Sequence, residues 1–165
     1  MFVRVLEAPT ETDWMKVKQR ALVTIGADAK TPPTKEWKHA ILEARHSPIR
    51  RLWFSFYIEC PYWVSVHLCR HIHAQPYVQS QRNDRQSRYD RDKAQQNTEV
   101  KMILDVNAEE LMVIANKRLC SKAAPETRNL VEMMCAMAVN RCPEFADFLV
   151  PMCVYHGNVC HEMYP

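Results

Sequence analysis

Apolar residues recur along this chain at the spacings of both strands and helices. Residues 2–6, 51–59 and 100–106 are short, apolar and rich in β-branched or aromatic side chains, which predicts three strands. Apolar positions at helical spacing, together with capping residues and prolines, predict helices at about 12–25, from Thr34, at 61–71, at 107–119, from Pro125 and from Pro143. Strands and helices follow in mixed order, without a regular strand–helix alternation, so we predict an α+β fold in a single domain spanning residues 1–165.

Four details of this pattern predict how the elements are arranged. Both faces of residues 51–59 are largely apolar, so we expect cover on both sides of that strand. Asn107 and Glu110 are spaced as a capping box at the start of a helix. Residues 73–97 are polar, which predicts either a loop over a site or a partly mobile segment. The inner face of the helix from Pro125 is predicted to carry Leu130, Met133, Met134, Met137 and Ala138.

Composition and charge exclude several classes of protein. The 165 residues include two glycines, too few for a dinucleotide-binding fingerprint or a phosphate-binding loop. The net charge of +3 is low for a dedicated nucleic-acid binder, so we expect no nucleic-acid partner. The uncharged run at 148–161 is too short to span a membrane, and the N-terminus does not resemble a secretory signal. Seven cysteines, an odd number, then favour reduced thiols and a cytoplasmic location.

Two clusters of histidine and cysteine contain residue types that bind zinc. The first alternates over residues 67–73, but on a helix only His67 and His71 share a face. The second, in residues 153–161, has no paired Cys-x-x-Cys knuckle. We predict no metal site, and metal binding stays a minor alternative.

A third group of residues is typical of an anion or nucleotide site. Arg70, His71 and Ile72 are followed, after seven residues, by Ser80, Gln81 and Arg82. Arginine offers planar, paired donors for phosphate or for a pyrimidine carbonyl. The alternative is a solvated basic loop.

This third group resembles the signature of the flavin-dependent thymidylate synthases, Arg-His-Arg, seven residues, Ser. It appears here as RHIHAQPYVQS, followed by Gln81 and Arg82. The family's second block, Asn-x-Arg opening a helix and then Leu-Arg and Ala-Gln-x-x-Glu, is similar to residues at matching intervals here. These residues are Asn107, Leu111, Arg118, Ala123 and Glu126. The resemblance covers roughly residues 46–150 and implies the fold of the thymidylate synthase complementing proteins, an antiparallel or mixed sheet with flanking helices.

The chain departs from the family pattern at several positions. Ile72 replaces the second arginine of the signature, and Glu109 replaces the arginine of Asn-x-Arg. The other departures are His67, Val78 and Lys122. The segment between the two blocks, residues 83–106, is shorter than in many members. The family's phosphate-binding arginine lies there, and Arg85, Arg88 and Arg91 are candidates for it.

The resemblance implies an enzyme that methylates dUMP to dTMP. Methylenetetrahydrofolate would supply the carbon, FAD the hydride and NADPH the reducing power, and the chain would assemble as a homotetramer. The cofactor-binding residues would be Arg70, His71, Ile72 and Asn107. Ser80, Gln81, Arg82 and Arg118 would bind substrate, with Ser80 and Arg118 in the catalytic role.

Each of these assignments has a structural alternative. Asn107 is equally suited to be only a helix cap, and Arg118 to form a surface ion pair with Glu126. Ser80 suits a loop hydroxyl, and His71 a structural histidine. For the whole chain, the alternatives are a catalytically impaired flavin- or nucleotide-binding homologue and a protein that binds metal or nucleic acid.

Overall fold

Four strands pair into one antiparallel sheet in the computed structural model, which describes residues 1–86 and 89–160. The strands are β1 (Phe2–Glu7), β2 (Trp53–Pro61), β3 (Ala74–Val78) and β4 (Glu99–Asn107). Their order across the sheet is β1-β2-β4-β3, and each neighbouring pair is antiparallel. Together with the helices, this sheet confirms the predicted α+β class.

Helices form at five of the six predicted places, whereas the short helix predicted from Pro143 is a 3₁₀ turn. The helices are α1 (Glu11–Val23), α2 (Lys35–Glu43), α3 (Tyr62–Cys69), α4 (Ala108–Arg118), α5 (Pro125–Arg141) and α6 (Met152–Tyr155), with 3₁₀ turns at Ser47–Arg51 and Pro143–Phe145. The side chains of Thr34 and Asn107 cap α2 and α4 by accepting backbone N–H bonds, and Pro125 occupies the first turn of α5. The short helix α6 was not predicted. No helix among the described residues is both long and apolar enough to cross a membrane.

One face of the sheet forms the hydrophobic core. Phe54, Phe56 and Ile58 alternate along β2 and are fully buried with residues of the helices in a single cluster. Burying one such side chain stabilises the fold by about 1.5–3 kcal/mol. This core fixes the position of β4, and therefore of α4, which begins directly after it.

The opposite face of the sheet is not covered within one chain. Arg4, Tyr57, Ile103 and Tyr77 form a row across all four strands, and the Tyr77 side chain is 60% exposed. The expectation of cover on both sides of β2 is therefore wrong for a single chain. The described helices contribute to one core, which leaves this outer face to solvent or to another molecule.

Two further predictions needed correction. Part of the predicted loop at 73–97 is the strand β3, which was missed because Pro76 breaks the usual strand composition. A proline is tolerated there because β3 is an edge strand, where a missing N–H costs no ladder bond on the open side. Met137 was predicted on the inner face of α5 but is 40% exposed, whereas Leu130, Met134 and Ala138 are buried.

Candidate active site

Residues from the two predicted motif blocks meet where α3 ends beside α4. The Nε of Arg118, in the last turn of α4, lies 3.3 Å from Nε2 of His71, which follows α3. A second Arg118 nitrogen donates to the backbone carbonyl of His67 at 3.2 Å. On its other side, the His71 ring places Nδ1 3.0 Å from Oε1 of Glu110. Arg118 is thus held by this junction and not by the surface ion pair with Glu126 considered from the sequence.

Burial shapes the protonation of this junction. Burial lowers the pKa of His71, and Arg118 lowers it further, while the carboxylate of Glu110 raises it. The pKa of His67 is also lowered, first by burial and then by the charges of Arg118 and Arg70. Burial and Arg70 lower the pKa of Arg118, although a guanidinium stays protonated in proteins. The junction therefore favours one fixed positive charge beside a neutral imidazole.

His67, which stands where the family has glutamine, also takes part in packing the junction. Its Nδ1 lies 2.8 Å from the hydroxyl oxygen of Thr127, a fully buried residue of α5. Its ring meets Trp63 edge to face, with centroids 5.4 Å apart. The backbone carbonyl that accepts from Arg118 is therefore fixed by contacts to both α3 and α5.

A cleft of about 240 Å³ opens beside the junction. Its lining consists of Arg50, His73, Asn107, Glu109, Glu110 and Val113. Asn107 caps α4 by accepting the Glu110 N–H at 3.0 Å, so the capping role is confirmed. Glu110 does not complete a capping box, since its carboxylate binds His71 instead.

The charge at position 109 is balanced from another element. Glu109, which replaces the arginine of the family pattern, is bound by the guanidinium of Arg50 from the turn before β2. This contact raises the pKa of Arg50. The rim of the cleft therefore carries a neutralised pair where the family pattern has a cation.

The remaining residues of the first block lie at the surface. Arg70 is exposed, and its charge reaches His67 and Arg118. The side chain of Ile72 is 85% exposed, and such a large exposed fraction is unusual for isoleucine. His71 differs from both, because its two ring nitrogens are already engaged within the chain.

The second half of the first block lies away from Arg118. Strand β3 begins opposite Val106 and carries the chain along β4 until Gln79 donates to the carbonyl of Lys101. From Ala74 to Ser80 this run spans about 20 Å at the rise of a strand. Ser80 and Arg82 are therefore not brought to Arg118 within one chain.

Around Ser80 the chain bonds to itself. The Ser80 hydroxyl accepts the backbone N–H of Arg82 at 3.3 Å, and Gln81 between them is half-buried. The Arg82 guanidinium makes two bonds to Asp84, at 2.9 and 2.6 Å, and this contact lowers the pKa of Asp84. Both side chains of the pair are 60% exposed, which makes it a weak surface pair.

The candidates for a phosphate-binding arginine are only partly described. Arg85 and Arg91 are exposed, whereas Arg88 lies outside the described residues. Lys93, in the same segment, pairs with Asp90 at 3.2 Å. Carboxylates therefore offset two cations of this segment, Arg82 and Lys93, which weakens it as a surface for tracking nucleic-acid phosphates.

The histidine and cysteine clusters do not converge. His67 and His71 are bonded to Thr127, Glu110 and Arg118, while Cys69 and His73 are exposed. Within residues 1–86 and 89–160, no three histidine, cysteine or acidic side chains are placed to hold a metal ion. His161 of the second cluster lies outside the described residues.

A larger cavity, of about 730 Å³, lies at a separate place between α1, α2 and the 3₁₀ turn at Pro143–Phe145. Its buried cation, Lys38, is bonded to Glu11 at 2.5 Å and lies 3.5 Å from Glu144. With that charge already balanced, the cavity shows no feature that points to a ligand.

Comparisons with known proteins agree with the resemblance read from the motifs. The model of the thymidylate synthase complementing protein family matches residues 91–144. The fold is similar to a UMP/dUMP methylase, PolB, from Streptomyces cacaoi, solved with 5-bromo-dUMP (16% identity, TM-score 0.70, covering 90% of this chain and 96% of that one). It is also similar to thymidylate synthase X from Helicobacter pylori, solved with FAD and dUMP (14% identity, TM-score 0.70, covering 90% and 99%). The chain resembles the flavin-dependent thymidylate synthases in both sequence and fold. No curated protein sequence matches it.

The match to this family is uneven over the two motif blocks. Residues 91–144 include Asn107, Glu109 and Arg118, so the match to the family model spans the second block. The first block, with Arg70, His71 and Ser80, lies outside that match. Glu110 carries no sequence signal of a site residue beyond its position three residues after the cap.

Proposed function

We propose that this chain is a flavin-dependent thymidylate synthase, which methylates dUMP to dTMP. The observation that carries the proposal is the contact between Arg118 and His71. These residues are 47 positions apart and come from two separately predicted motif blocks, yet they bond at 3.3 Å beside a cleft. The coarser conclusion, a methyltransferase of dUMP, is also supported by the similarity in fold to the UMP/dUMP methylase PolB.

The residues around the cleft fit FAD as the cofactor. Its two phosphates are anionic, and His73 and the carboxamide of Asn107, which line the cleft, offer donors for such groups, as does the exposed Arg70, whose charge acts on Arg118. Arg70, His71, Ile72 and Asn107 would hold FAD, with the apolar Ile72 against a ring rather than a phosphate. FAD would supply hydride chemistry that no side chain can perform.

Arg118 is suited to act on the pyrimidine. Its guanidinium is oriented by two bonds within the protein and keeps its charge. A fixed cation that needs no reorganisation stabilises negative charge developing on the uracil ring. Ser80, Gln81 and Arg82 would bind dUMP, and Arg82 can leave Asp84 for a phosphate because an exposed ion pair contributes only about 0–1 kcal/mol.

We infer that these two parts of the substrate site come from more than one copy of the chain. Ser80 lies about 20 Å along the chain from Ala74, where β3 begins. The uncovered outer face of the sheet, with Tyr77 and Ile103, offers apolar surface for association. We therefore propose a homotetramer in which Ser80–Arg82 of one copy complete the Arg118 site of another, testable by sedimentation velocity.

We further propose methylenetetrahydrofolate as the carbon donor, NADPH as the reductant and a cytoplasmic location. The assay is tritium release from dUMP labelled at carbon 5, with FAD, methylenetetrahydrofolate and NADPH present. Release that depends on all three supports the synthase, and Arg118→Ala should abolish it. Flavin binding without release would instead identify the second candidate.

That second candidate is a homologue that binds flavin or nucleotide without turnover. Two observations favour it: Ile72 is exposed where the family has arginine, and Glu109 is tied up by Arg50. A chain of this kind should still show flavin absorption and bind dUMP.

A further inference from the structure

Three hydrogen bonds link the cap of α4 to Arg118 in one unbroken series. Asn107 accepts the backbone N–H of Glu110 at 3.0 Å, Glu110 binds Nδ1 of His71 at 3.0 Å, and Nε2 of His71 meets Nε of Arg118 at 3.3 Å. The side chains of Glu110 and His71 are only 7% and 10% exposed. Water therefore has little access to replace a lost partner in this series.

The direction of each bond follows from one fixed proton. The Nε of Arg118 always carries hydrogen and has no lone pair to accept with, so it must donate. Nε2 of His71 must then be the acceptor, and a neutral imidazole keeps its single hydrogen on Nδ1. That hydrogen points at Glu110, and a carboxylate can only accept.

We propose that Glu110 is a positioning residue, whose carboxylate holds His71 as the Nδ1–H tautomer so that Nε2 accepts from Arg118 and aims its guanidinium. The backbone bond to Asn107 fixes Glu110 at the start of α4, and the carbonyl of His67 holds the other side of Arg118. The inference rests on the proposed function in one respect, that the aimed guanidinium meets dUMP.

The charges around His71 agree with a neutral ring. The His71 ring contacts Glu110 and Arg118 of α4, and the charge of Arg70 acts on Arg118. A second hydrogen on His71 would set N–H against N–H at the Arg118 contact and add a cation beside that guanidinium. The series therefore forms only when His71 is neutral.

The test compares two carboxylates in the same turn of α4. Glu110→Gln keeps the size of the side chain, but an amide can donate or accept, so only the longer 3.3 Å contact from Arg118 then favours the Nδ1–H tautomer. Glu109→Gln is the matched control, because Glu109 binds Arg50 and not His71. Nitrogen NMR of histidine-labelled protein distinguishes protonated from unprotonated ring nitrogens, and a His71→Gln sample assigns the His71 signals.

We expect Nδ1–H in the wild type and in the Glu109→Gln control, and a mixture of tautomers in Glu110→Gln. With the Arg118 contact weakened, the dissociation constant for dUMP should rise about tenfold in Glu110→Gln, as for the loss of one hydrogen bond to a charged group. A wild-type His71 protonated on Nε2, or a Glu110→Gln protein with an unchanged tautomer, overturns the inference. The wild-type spectrum decides even if the variant does not fold. Failure of the wild type to bind dUMP overturns the proposed function, while the tautomer result stands separately.

Discussion

The two roles of Asn107, as helix cap and as ligand donor, can be separated by substitution. Asn107→Ala removes the acceptor of the Glu110 N–H, a buried bond of 3.0 Å. Losing such a cap costs about 0.5–2 kcal/mol, and a buried N–H left unpaired costs about 1–3 kcal/mol. We therefore expect Asn107→Ala to lower the free energy of unfolding by about 1–2 kcal/mol and the Tm by roughly 3–6 °C.

Asn107→Ser keeps an oxygen that can cap α4 but removes the amide donor at the cleft. Its stability should stay within about 0.5 kcal/mol of the wild type, since serine caps nearly as well as asparagine. Both variants should bind FAD about tenfold more weakly, the cost of one hydrogen bond. Urea unfolding measures the first effect, and quenching of flavin fluorescence measures the second. A serine variant that binds FAD like the wild type would show that Asn107 is a cap alone.

The remaining predictions concern the core, the histidines and a buried thiol. Phe56→Ala, on the buried face of β2, should cost about 3–5 kcal/mol in urea unfolding, and Tyr57→Ala, on the outer face, much less. Because burial lowers the pKa of His71 and His67, the unfolded chain binds more protons than the folded one just below about pH 6.5. The free energy of unfolding should therefore fall as the pH falls through that window, and His71→Gln should flatten the fall; an unchanged slope would refute this. Burial raises the pKa of Cys135 to about 12, so thiol reagents should label it only after unfolding, and rapid labelling of the native protein would contradict its placement.

Local sequence signals predicted most of the fold because they act over a few residues. Thr34, Asn107 and Pro125 mark helix starts through their own hydrogen-bonding or ring geometry, and the structure begins helices there. Strand β3 was missed because its signal is not local. A segment with Pro76 becomes a strand only because β4 lies beside it and its other edge is open.

Motif spacing predicted only part of the candidate site. The two blocks indicated His71 and Arg118, and the structure joins them. The bond between His71 and Glu110 spans 39 positions, and the pairing of Arg50 with Glu109 spans 59, so no local pattern marks either contact. Tertiary packing alone turns the carboxylate of Glu110 towards His71 instead of the helix cap.

Adding dUMP to protein loaded with FAD and recording the flavin absorption spectrum shows whether this chain holds a flavin against a uracil nucleotide beside Arg118. We expect the wild type to bind FAD at micromolar concentration and dUMP to shift the flavin bands, whereas in Arg118→Ala dUMP leaves them unchanged. A wild-type protein that binds no flavin, or whose flavin spectrum does not respond to dUMP, would contradict this expectation.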